Sequence, residues 1–225
     1  ADKSGDAGGD DDAGLDASGD LLVASLRNIN LVVAFRADGS GAEWYLSPSS
    51  QMPSNFTFLN NESMFYNPHD AQLLDATTLV LFDDGNNQPD CHQPEGQHCF
   101  SRAVKYALDW ATGTCTLTWE FEYKIEKNAT NALSKLQTED IFVADGGSVT
   151  LYEGDYVVAF TVTPENGVYS KNAYFFVVDE DGNARTEIKL ARHYWDGVTA
   201  GVYRAVPFDT IYGEVSESPF DARRR

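Results

Sequence analysis

Positive charge is scarce in this chain: 16 Lys and Arg stand against 35 Asp and Glu, for a formal net charge of -19 over 225 residues. Such a field repels phosphate backbones and anionic lipid headgroups, and no basic cluster interrupts it except the terminal Arg223, Arg224 and Arg225. Nucleic acid is therefore not expected as a partner. No apolar run comes near the roughly 20 residues that a membrane-spanning helix needs, so no membrane insertion is expected in this segment. The sequence starts at Ala1 without a basic-then-apolar leader, which reads as a mature, truncated or cytosolic chain. Also missing are a Ser/His/Asp order, a glycine-rich phosphate loop, paired catalytic carboxylates and the D-x-D/N-x-D/N-G pattern of a calcium loop. No metal and no cofactor are expected.

Cysteine is sparse too, at three. Cys91 and Cys99 bracket "CHQPEGQHC", a connection containing Pro and Gly in which a disulfide restrains an otherwise loose insertion; Cys115 is left over, expected to be buried and free. The alternative is a zinc tetrad completed by His92 and His98, but zinc sites usually separate their two pairs by about a dozen residues or more, and here all four ligands would crowd together. Sequons at Asn55, Asn61 and Asn128 point, with the disulfide, to a glycoprotein of the extracellular space or secretory pathway.

What is present is apolar surface arranged in short alternating runs. With 42% hydrophobic and 12% aromatic residues the chain can offset the entropy cost of folding. The start is different: the first twenty residues hold seven aspartates and five glycines, so residues 1–19 are expected to form a solvated acidic segment, 20–208 the folded part and 209–225 a tail. Within the folded part "GDLLVAS" (19–25), "TTLVLFD" (77–83) and "GDYVVAF" (154–160) are each followed by a second run, "NLVVAFRADGSG", "RAVKYALDWATG" and "NAYFFVVDEDGN". Each second run ends in an Asp- and Gly-containing turn before a third, "AEWYL", "TCTLTWEFEY" and "ARTEIKL". The period of two is clearest at 114–123, where Cys115, Leu117, Trp119, Phe121 and Tyr123 alternate with Thr and Glu. "HDAQLL" and "GSVTLY" add a leading strand to the second and third units. The fold class is therefore all-β, a β-propeller of four-stranded meander blades with about three blades present, a partial or open ring. Insertions at 84–100 and 124–145 stretch the units beyond the roughly 40 to 50 residues of an ordinary blade, which is thermodynamically cheap. Three blades do not close a ring, so further blades of a longer chain, or a second copy, are expected partners. Three successive sheets are predicted at 20–46, 69–123 and 146–191; a two-sheet sandwich is the alternative.

His69 opens the leading strand of the second unit. Its counterparts in the other units, ten residues before Leu21 and Tyr156, are Asp11 and Gly146, so the repeat itself does not require an imidazole. The residue is either a nucleophile at the inner edge of a sheet or a polar side chain closing a loop.

"PHDAQLL" with "LVLFDDGN", then "SRAVKYALD" and "GTCTLTWEFEY", and upstream "DASGDLLVASLRNINLVVAF", together resemble the C-terminal half of the arylsulfotransferase family, the kind that needs no nucleotide sulfate donor; the resemblance spans about residues 16–208. It implies a six-bladed propeller and a two-step transfer of a sulfuryl group between phenolic compounds, with an aryl sulfate and a phenol as small-molecule partners. In that chemistry His69 carries the sulfuryl group and Arg27, in "SLRN", binds its oxygens: a neutral imidazole is a good nucleophile near pH 7, and a guanidinium fork neutralises charge on the oxygens. Arg102 either adds positive charge for substrate binding or pairs with a carboxylate. Ser148 contacts substrate from the third unit or serves a turn, and Arg204 in "GVYRAVPF" binds substrate or completes the ring with Tyr203. Two departures stand out. Gly9, Asp10, Asp11 and Asp12 replace a His-x-Asn-Ser stretch, and Pro68 replaces a glutamine. They make a catalytically silent secreted segment, used for binding or assembly, the alternative function.

Overall fold

The structure, a computed structural model, describes residues 20–89, 91, 99–127, 137–140, 143, 146–160, 164–165, 168–169, 172–191 and 204–207. Within them the chain is all-β, with single 3-10 turns at Arg27–Ile29 and Asn61–Ser63 and no α-helix. The first sheet holds β1 (Leu21–Leu26), β2 (Leu31–Arg36) and β3 (Ala42–Leu46) in that order. The second holds β4 (Thr57–Phe58), β5 (Pro68–Asp75), β6 (Thr78–Asp83), β7 (Arg102–Asp109) and β8 (Thr114–Glu122), in the order β4-β8-β7-β6-β5. A hairpin of β9 (Lys124–Lys127) and β10 (Gln137–Asp140) follows. The third sheet runs β11 (Ser148–Tyr152), β12 (Asp155–Phe160), β15 (Asn172–Val178), β16 (Ala184–Ala191), with the small hairpin β13 (Pro164–Glu165) and β14 (Val168–Tyr169) inserted before β15.

The three meanders fall where the alternating runs place them, each antiparallel apart from the short parallel β4–β8 edge. Two pieces differ from expectation. Residues 124–145 include a hairpin rather than a plain connection, and β4 is too short to carry a readable period. The acidic segment 1–19, where the first unit's leading strand would lie, and the tail 209–225 are outside the described residues, as are Tyr203, His92, His98 and Asn128.

The second sheet is the middle of the stack. β6 reads "TLVLFD" without polar alternation because both its faces are covered. Leu79 and Leu81 join Val32, Trp44 and Leu46 of the first sheet, while Val80 and Phe82 join Val149, Tyr156 and Phe160 of the third. β8 corrects the simple reading of its alternation. Lys105 pairs with Trp119 but Tyr106 with Leu117, so Thr118 is an extra residue in the ladder. One added residue inverts the faces of a strand. Cys115 and Leu117 therefore point at the first sheet, and Trp119 and Phe121 at the third.

Register also decides where the polar groups meet. In the repeat β1, β6 and β12 are equivalent, so the turns that leave β1 and β6 exit at one end. β5, antiparallel to β6 with Pro68 opposite Asp83, begins at that same end.

Candidate active site

His69 is the second residue of β5, opposite Phe82. The ladder breaks immediately after it: pairing resumes at Gln72 with Val80, so Asp70 and Ala71 stand against Leu81 alone. Asp70 takes the left-handed conformation, φ 49°, one of the few non-glycine types that does so readily. The bulge turns the Ala71 N–H away from the ladder, and it donates to Ser25 Oγ of β1 at 3.0 Å. At the equivalent place in the third unit Gly147 has φ 101°, and a Cβ there would run into the Phe82 ring. Positive φ at this place is thus shared by the second and third units, and in β5 the bulge there sets the direction of the side chain before it.

What His69 meets is Asp84, the first residue after β6. Its Oδ1 lies 2.9 Å from His69 Nδ1, and its Oδ2 accepts from Arg27 Nε at 3.2 Å. Asp84 is fully buried, His69 nearly so, and the Arg27 side chain is 27% exposed. Burial pushes the Asp84 carboxyl up to about 7, against the pull of His69 and Arg27. The peptide around it is clamped. Ser101 Oγ donates to the Asp84 carbonyl at 2.6 Å, and Gly85 N donates to Tyr66 O and to Asp83 Oδ1, both at 3.0 Å. Arg27 is steadied in turn by Asn67, whose Nδ2 donates to the Arg27 carbonyl at 3.1 Å, and by Asn28 Oδ1, which accepts from Nη1 at 3.0 Å. In the tautomer that carries its proton on Nδ1, toward the carboxylate, the lone pair is on Nε2.

His69, Asp70, Val23, Ser25, Gly147 and Arg204 line a cleft of about 250 Å³. Arg204 Nη1 stands 3.7 Å from Asp70 Oδ1, and its side chain is 58% exposed. Ser148 is buried, and its hydroxyl is hydrogen-bonded to the main chain of Ala205. Arg102 is not brought to this cleft. It is buried, with Nε on Asp83 at 3.1 Å, Nη1 on Glu120 at 2.8 Å and Nη2 on the carbonyls of Glu62 and Met64. These contacts bind the 3-10 turn at Asn61–Ser63 to the middle sheet. Burial pushes its partner Asp83 up to about 6.

The residue that motif reading passed over is Asp84. "LFDDGN" carried the signal: two adjacent aspartates ending a buried apolar strand must point to opposite sides, and each needs a cationic partner there. Asp83 finds Arg102 and Asp84 finds Arg27 with His69.

Away from the site, Cys91 and Cys99 are disulfide-bonded, which removes both thiolates from the zinc alternative, and Cys115 is buried and free, its thiol pushed up to about 12 by burial. Asn55 and Asn61 are exposed. Among the described residues no cluster of His, Cys, Asp or Glu is arranged to hold a metal, and no helix is long and apolar enough to cross a membrane.

The site thus brings together a buried carboxylate, an imidazole at the lip of the cleft and a guanidinium on the carboxylate's other oxygen. The model of the family described as Arylsulfotransferase (ASST) matches residues 12–194. The chain belongs to the arylsulfotransferase family. A search of curated proteins finds no match to it.

Proposed function

We propose that this chain takes a sulfuryl group from an aryl sulfate ester, holds it on His69, and passes it to a phenol. The observation that carries this reading is the contact of His69 Nδ1 with buried Asp84 at 2.9 Å, in a ring that lines the cleft. In the first half, the Nε2 lone pair attacks sulfur, the sulfur–oxygen bond to the aryl group breaks, and the phenolate leaves and takes a proton from solvent. Asp84 stabilises the positive charge that the sulfated imidazole acquires. In the second half the acceptor's oxygen attacks sulfur, the nitrogen–sulfur bond breaks and the acceptor's proton is released. No electrons change hands, and no cofactor enters. Arg27, held on Asp84, supplies positive charge beside the nucleophile.

The same reading makes the three sheets successive blades of an open β-propeller. The support is the repeated meander order and a middle sheet covered on both faces. The Cys91–Cys99 bond fits an oxidising, extracytoplasmic compartment. One feature favours the silent binding segment instead: the acidic run Gly9, Asp10, Asp11 and Asp12 repels a sulfated substrate.

The test is incubation with an activated aryl sulfate. Release of the phenol, with a sulfuryl adduct on the peptide containing His69 that disappears when acceptor phenol is added, is the expected result. His69→Asn abolishes both, and Arg27→Ala lowers the rate roughly 100-fold, the scale of losing one charge-stabilising donor. Release that persists in His69→Asn removes the nucleophile assignment. Release seen only with a longer chain that supplies further sheets places part of the site outside this segment.

A further inference from the structure

Arg204 belongs to a short segment, 204–207, anchored far more firmly than its charge. Ala205 N donates to Ser148 Oγ at 3.1 Å, and the same hydroxyl donates back to the Ala205 carbonyl at 3.4 Å. Ser148 is fully buried at the head of β11, next to Gly147 of the cleft wall. The main chain at 205 is therefore pinned while the guanidinium beside it stays 58% exposed. Its carboxylate neighbour is held in the opposite manner. Asp70 Oδ2 accepts from Val149 N at 3.2 Å and from Gln72 Nε2 at 3.1 Å, and the side chain is 13% exposed. What remains between the two charges is a separation of 3.7 Å, longer than a hydrogen bond.

We infer that Arg204 and Asp70 form an exchangeable ion pair, in which the guanidinium leaves Asp70 to bind the sulfate oxygens of the incoming donor beside His69. The inference rests on the proposed transfer reading for its ligand, and it goes further by separating two arginines. Arg27 is committed to Asp84 at 3.2 Å and is not part of the cleft wall; Arg204 is the one guanidinium or ammonium among the described residues lining the cleft. A monoanionic sulfate ester approaching a chain of net charge -19 needs a local positive charge, and a pair 3.7 Å apart costs little to break when its guanidinium is exposed and its carboxylate keeps two other hydrogen bonds. Arg204 favours anionic donors, and Asp70 keeps its place in the cleft wall through the hydrogen bonds of Oδ2 with Val149 N and Gln72 Nε2.

The test measures binding without turnover. In the full chain carrying His69→Asn, the affinity for 4-nitrophenyl sulfate and for neutral phenol is measured at equilibrium. Adding Arg204→Gln is expected to weaken the sulfate ester roughly tenfold or more and to leave phenol unchanged. Asp70→Asn, which keeps a side chain tolerant of positive φ, releases the guanidinium and tightens the ester severalfold. An Arg204→Gln protein that binds the ester within twofold of its parent, an equal loss for phenol, or a parent that binds no ester overturns the inference. Arg204-dependent ester binding, together with no sulfuryl adduct on His69 when the unsubstituted chain is incubated with the ester, keeps the anion site and removes the transfer reading alone.

Discussion

Asp84 joins two groups at one residue: Oδ1 lies against His69 Nδ1, and Oδ2 accepts from the Arg27 guanidinium. Asp84→Asn keeps the shape but loses the charge. It is expected to lower the rate of phenol release by about 100-fold or more, since the outer partner of a nucleophilic imidazole sets its orientation and offsets its charge. An unchanged rate would remove Asp84 from the site. Its carboxyl, raised from an ordinary 3.8 to about 7, also makes stability and activity slope in opposite directions. Between those values the folded chain keeps a proton that the unfolded chain has released, so the contribution of Asp84 to stability falls as pH rises from about 4 through 7, while the ionised form needed for transfer grows. In urea titrations at pH 5 and pH 8, Asp84→Asn should gain stability relative to the parent at the higher pH; Asp83 shifts the same way but is common to both proteins and cancels. A constant difference between the two pH values refutes the upward shift. His69 and Arg27 were legible in the sequence because a family motif surrounds each. Asp84 was not, because a carboxylate's role lies in what faces it, and its partners are 15 and 57 residues away along the chain.

The elements were readable from their alternation, and what alternation does not show is side-chain direction beyond an added residue. β5 and β8 each contain a bulge, and in both the bulge has a consequence that period-two reading inverts or omits. In β5 it aims His69; in β8 it lets one strand serve two hydrophobic clusters. Gly147 tests the link between bend and packing. Its φ of 101° and the nearby Phe82 ring leave no room for a methyl group, so Gly147→Ala is expected to cost about 1–3 kcal/mol in urea unfolding and to disturb the strand pair that carries His69. A variant as stable as the parent would mean that the ring yields freely. The insertion between β6 and β7 offers a second test at this scale. Cys91 and Cys99 are bonded across a sequence separation of 8, closing a loop whose base carries Asp84 and Ser101. Loop-closure entropy for that length gives about 2–3 kcal/mol of stabilisation, which reduction should remove. Thiol titration of the denatured, unreduced protein should find one thiol, Cys115; three would dismiss the bond.

At the scale of the whole molecule, stacking and charge oppose each other. The middle sheet is covered on both faces, and Lys105 of β7 ties it to the third sheet through Tyr156 at 3.0 Å and Glu180 at 2.6 Å. That much of the architecture was foreseeable, since three equivalent meanders must bury their apolar faces on one another. A repeat count describes only the units within the chain and so sets no ring size. The net charge of -19 acts on every approach to the cleft. At about 0.01 M salt the screening length is about 30 Å, so the whole acidic surface repels an aryl sulfate; at about 0.15 M it shrinks to about 8 Å, and only groups lining the cleft are felt. Raising salt over that range should therefore speed association of 4-nitrophenyl sulfate, and leave association of neutral phenol unchanged. Rapid-mixing rates for the two probes decide it. A donor rate that falls with salt would mean that attraction by Arg204 and Arg27 outweighs the field of the rest of the chain, and that the acidic surface is not what limits entry.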